Sequence, residues 1–183
     1  MDRDHGVSLK GEEKSRKQNR CYHGADGVLQ KVPVSASAPQ KKKRGLRGKI
    51  VENKKEELAE SMQQAVDLVK SYVPPDPARL QAVKDAGNVS IDVLDPGKRA
   101  RLNFHDYFRP GDTLSAELDI VNNRLLGVIV ATYLESPQDQ VGLDVRFGAL
   151  ADGTTYPDQI VLDGKAKKLR VAVDNSGYRK LGH

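Results

Sequence analysis

From Asn88 to Leu181 the chain alternates apolar and polar positions in short runs, each cut off by a turn dipeptide. Val89, Ile91 and Val93 alternate up to Pro96-Gly97, and Leu102 and Phe104 lead to Pro110-Gly111-Asp112. Leu114, Ala116, Leu118 and Ile120 then alternate up to Asn122-Asn123. A period of two puts such side chains on one side of a pleated strand. The pattern predicts strands near 88–94, 99–105, 113–121, 124–135, 140–149, 155–163 and 166–174, the last two joined at Asp163-Gly164. Connections this short join only antiparallel neighbours. Leu125 to Leu134 is apolar on both parities, so this strand should be covered on two faces.

Upstream the period changes. Leu58, Met62, Ala65, Val66 and Val69 recur at steps of three and four among charged residues, which predicts an amphipathic helix over 50–73. Pro74-Pro75 stops it. Asp76 can cap a second helix over about 77–86, with Pro77 at its first position and Gly87 closing it. Residues 7–34 read as a hairpin turning at Gly24-Ala25-Asp26-Gly27. Its strand Glu12 to Arg20 is so polar that it should lie at an edge or face solvent.

The expected fold is α+β: a strongly curved antiparallel meander, or half-barrel, with two helices packed on its concave face. Residues 1–34 form a polar hairpin of the same sheet and 35–49 a flexible basic linker. Residues 50–183 hold the two helices and seven strands, all within one domain.

Charge sharpens this picture. Residues 1–55 carry 15 Lys and Arg against 6 Asp and Glu, and the rest carries 15 against 19. Lys41, Lys42, Lys43, Arg44, Arg47 and Lys49 concentrate the excess in the linker, a candidate contact for an anionic partner or membrane surface. No aromatic residues interleave with them, so nucleic acid is not the expected partner. The simpler reading is a solvated linker.

Candidate chemistry is sparse. His105 and Asp106 are adjacent, and neighbours on a strand point to opposite faces. The four histidines lack ligand spacing, and Cys21 is the single cysteine. No nucleophile elbow, dinucleotide fingerprint or P-loop occurs. The reading is non-enzymatic, with no cofactor and no metal. Met62, Val66, Val69, Phe104, Tyr133 and Phe147 are the larger apolar residues expected between helix and sheet. They would either fill a core or line a cavity for an apolar ligand, since three Phe and no Trp leave few bulky side chains for a wide gap.

Leu9-Lys10-Gly11-Glu12, Cys21 to Gly27, Lys43 to Lys49, Tyr72 to Pro77, Pro110-Gly111-Asp112, Asp152 to Tyr156 and Asn175 to Tyr178 resemble an uncharacterised family of exported bacterial proteins. The order of elements is similar to the lipoprotein-carrier superfamily, whose incomplete β-barrel, lidded by helices, holds acyl chains. The resemblance implies a periplasmic or cell-envelope protein that binds a lipid, a lipidated partner or another apolar ligand. It transfers no site residue. Members of that family begin with a signal peptide, whereas Met1-Asp2-Arg3-Asp4 has no apolar character, so the expectation is that this start is internal. The alternative function is an interaction module that uses the basic linker to contact nucleic acid or an anionic membrane.

Overall fold

The computed structural model describes residues 1–23, 29–34 and 46–179. The strands are β1 (Asp2–Leu9), β2 (Glu12–His23) and β3 (Leu29–Pro33), followed by helices α1 (Leu46–Lys70) and α2 (Pro77–Asp85). Seven more follow: β4 (Val89–Asp95), β5 (Arg99–His105), β6 (Thr113–Asp119), β7 (Arg124–Tyr133), β8 (Gln140–Ala149), β9 (Thr155–Gly164) and β10 (Leu169–Ser176). All ten form one antiparallel sheet in the order β3-β2-β1-β10-β9-β8-β7-β6-β5-β4. The fold is the expected curved, unclosed α+β meander.

Chain order explains the layering. β4 to β10 pair with their sequence neighbours, and β1 adds to β10, so β3 and β4 end up at opposite edges. The segment joining them must cross the sheet. It carries α1 and α2, whose apolar stripes bury against the concave face.

Register defines that face. Leu114, Val130, Leu143, Leu162, Val171 and Val7 stand opposite one another across six strands. Leu114, Val130, Leu143 and Leu162 are buried with Ala65, Val69 and Tyr72 from the end of α1, Val83 of α2 and Tyr107. Burying each side chain of Val or Leu size stabilises by about 1.5–3 kcal/mol.

The second helix starts where capping chemistry places it: Asp76 Oδ1 accepts the Ala78 N–H at 2.9 Å, with Pro77 at the start. Elsewhere the structure differs from expectation. The N-terminal region holds three strands, because Lys10 and Gly11, both with positive φ, make a tight turn between β1 and β2. Polar β2 is exposed at 15–18 and at Arg20, as expected of a strand facing solvent, and lies one strand in from the edge that β3 forms. Helix α1 begins at Leu46, so the last linker residues are helical. The final turn falls at 165–168, where Lys168 N–H bonds Lys165 O, rather than at Asp163-Gly164. On the outer face of β7, Ala131 is exposed and Ile129 half-buried, so that strand is fully covered on one side alone. The turn at Gly24–Gly27 and the cluster Lys41–Arg44 lie outside the described residues.

Candidate functional site

The C-terminal end of α1 and its middle are held differently. At its C-terminal end Tyr72 is fully buried, and its hydroxyl bonds Asp112 Oδ2 at 2.5 Å and Thr132 Oγ1 at 2.9 Å. Asp112, itself buried, also accepts the backbone N–H groups of Phe108 and Arg109, which ties the helix to the loop between β5 and β6. The Tyr72 ring meets Phe108 edge-on at 4.8 Å, and the Arg79 guanidinium of α2 lies 4.1 Å from the Phe108 ring centre. Burial, then the hydrogen bond to Asp112, pushes the Tyr72 phenol well above its ordinary value of 10.0, so it stays protonated.

Further back along α1 the grip loosens. Val69 and Ala65 are buried, Met62, Ser61 and Leu58 half-buried, and Glu60, Glu57 and Glu56 exposed. Under this middle section runs an apolar groove with a cavity volume of about 40 Å³. Ser61 and Ala65 roof it, and Val141, Leu162, Leu169 and Val171 floor it. Ser61 and Ala65 stand one turn apart, and their short side chains leave the space open. Leu134, Asp139 and Gln140 line it from the β7–β8 turn, and Ala166 and Lys167 from the β9–β10 turn.

None of the six residues selected from sequence lines this groove. Val69 belongs to the buried core, with Val66, Phe104 and Phe147 packed against it, and Met62 is half-buried on α1. Tyr133 turns away. Its neighbour Thr132 reaches Tyr72 on the concave side, while Tyr133 donates from its hydroxyl to Pro110 O at 3.1 Å with Arg109 5.2 Å from its ring. It closes the β5–β6 loop instead of meeting the helix. Selection by size found the fillers of the core. The groove comes from small residues, and the available signal was Ser61 and Ala65 spaced i, i+4 on the apolar stripe.

Of the predicted cationic contact, Lys41 to Arg44 lie outside the described residues, and Arg47 and Lys49 fall in the first turn of α1. A different set of cations does face the concave side. Val7 fixes the parity of β1, so Arg3 and His5 share its face, and register adds Lys17 opposite His5 and Lys31 opposite Cys21. Arg3 Nε donates to Asn175 Oδ1 at 2.7 Å. Burial lowers the His5 pKa from its ordinary 6.5, and the charges of Arg3, Lys31 and Lys17 lower it further against the opposing pull of Asp4.

Other candidate groups stay apart. His105 Nε2 is 2.9 Å from Ser90 Oγ, while Asp106 Oδ1 accepts the Gly111 N–H, so the two adjacent residues serve separate local bonds. Cys21 is buried on β2. Among the described residues no three His, Cys, Asp or Glu side chains come together as a metal site, and no helix is long and apolar enough to cross a membrane.

No family model, curated protein or solved structure matches the chain.

Proposed function

We propose that this is a non-enzymatic cell-envelope protein that holds an apolar chain, from a lipid or a lipidated partner, between α1 and the sheet. One observation carries the reading: an apolar groove roofed by two small residues of a helix whose buried anchors lie at one end. Binding there works by removing apolar surface from water, at about 25 cal/mol per Å². The groove at rest takes only a few water-sized volumes, since one water needs about 10–15 Å³. An acyl chain therefore enters as α1 lifts about its Tyr72 anchor, exchanging helix contacts for ligand contacts. Val66, Val69, Phe104 and Phe147 then belong to the core, and Ser61 and Ala65 form the roof. The resemblance to exported proteins with lidded half-barrels supports the same reading.

Native mass spectrometry of the protein mixed with a single-chain lipid tests it. A mass adduct is expected with the wild type and lost in Ala65→Trp, which fills the groove, provided circular dichroism shows the fold retained. Absence of an adduct from the wild type, or equal adducts in both proteins, overturns the reading.

A further inference from the structure

The sheet carries its charges unequally on its two faces. On the convex face of the N-terminal strands, Arg16 pairs with Asp4 at 2.6 Å and Arg20 with Asp2 at 3.1 Å. Farther along that face Arg170 pairs with Asp163 at 3.2 Å, and Glu117 bridges Arg101 and Arg146, each at 2.5 Å. On the concave face of β1–β3, Arg3 is bonded to a neutral amide, and among the described residues Lys17 and Lys31 have no ion-pair partner. Among the described residues, Glu56, Glu57 and Glu60 of α1 are exposed and form no ion pair with them. Like charges gathered on one wall raise a positive potential that is relieved when an anion binds. His5 stands between Arg3, Lys17 and Lys31, and its pKa is lowered first by burial and then by their charges.

This band adjoins the groove. The floor residues Leu162 and Val171 continue along one register row to Val7 of β1. Lys17 stands one strand beyond and one row over. Two strand spacings and two residues of rise put its backbone about 12 Å from that of Val171, within the length of a long acyl chain. An apolar trough that ends on unpaired cations is complementary to a molecule with a tail and a negative head.

We propose that the concave cationic band of Arg3, Lys17 and Lys31 selects single-chain amphiphiles with an anionic head, a carboxylate or a phosphate monoester, whose tail lies beneath Ser61 and Ala65. The proposal rests on the groove reading above and adds the class of ligand. It draws on the side chains of β1–β3, not on the linker cluster.

Fluorescence titration of the full chain with cis-parinaric acid and with its uncharged methyl ester separates the two claims. The acid is expected to bind about tenfold or more tightly than the ester, as befits charge pairs formed away from bulk water. In the double variant Lys17→Glu/Lys31→Glu the preference should disappear while ester affinity stays the same. Lys17→Gln/Lys31→Gln, which removes charge without reversing it, provides the same readout if charge reversal unfolds the protein. Displacement by dodecanoate or by dodecyl phosphate, and not by dodecanol, supports the proposal and identifies the head. Equal binding of acid and ester by the wild type overturns charge selection and leaves the groove reading standing. A preference that survives in the double variants overturns the band as its source. Failure of both probes to bind overturns the groove reading, and the proposal with it.

Discussion

At the scale of the residue, Glu117 shows how the convex face accommodates charge. It is only 6% exposed on a side without helices, yet it is ionised between two guanidinium groups. Burial pushes its carboxyl upward, but the hydrogen bond from Arg101 and the charge of Arg146 outweigh it, and the net shift is below the ordinary 4.5. A carboxyl with a lower pKa folded than unfolded binds protons more readily in the unfolded chain. Its contribution is therefore present above the unfolded value and lost as pH falls through the folded one. Melting temperature is expected to drop as pH falls from about 6 to about 3, and Glu117→Gln should flatten part of that drop. Asp4, held down by Arg16, Asp119, held down by Asn122, and Asp67, held down by Gln63, act in the same direction. An acid slope identical in wild type and variant would show that the Arg101–Glu117–Arg146 bridge contributes nothing to folding.

At the scale of the element, α1 depends on a single polar anchor more than on its length. Tyr72→Phe keeps the ring contacts with Tyr107 and Phe108 but leaves Asp112 and Thr132 short of a partner in a buried site. Losing a buried hydrogen bond to a charged group is expected to destabilise by about 1.5–3 kcal/mol, readable as a shift in urea midpoint without a change in slope. The anchor was hard to see in sequence, because Tyr72, Asp112 and Thr132 are separated by 40 and 60 residues and converge only once the sheet forms. The strands were easier. β4 to β6 and β8 alternate apolar and polar residues and β7 is an apolar run, each between Gly, Pro and Asn turns, so pattern and punctuation agree and their boundaries fall close to expectation. β1 and β2 fail that test for a physical reason: Arg3, His5, Lys17 and Asn19 occupy concave positions where the period requires apolar side chains. A strand can be held by its backbone ladder with a polar face inward, and hydrophobic period does not report it. The same substitution hid the cationic band, whose members are spread over β1, β2 and β3 rather than clustered in sequence. The groove was hidden differently, since Ser61 and Ala65 act by being small.

At the scale of the molecule, the sheet and the helical crossover have different mechanical roles. The central strands are paired on both sides and buried under α1's last turns, so opening them requires disrupting the whole core. The crossover is fastened where Tyr72, Arg79 and the β5–β6 loop meet, and the side chains of α1 are more exposed at 56–60 than at 65–69. Local opening free energy follows buried contact, so protection should fall backwards along α1. Amide hydrogen exchange is expected to be slowest in β7–β9, intermediate at 66–70 and fastest at 57–61. Tyr72→Phe should accelerate all of α1 while leaving β7–β9 unchanged, because the anchor is lost and the sheet is not. A saturating single-chain amphiphile should slow exchange at 58–65, where its tail would lie under the roof. Uniform protection along α1, matching that of the sheet, would mean that helix and sheet open only together. The groove would then have no route for a chain to enter, and its space would be a packing defect of the core rather than a binding site.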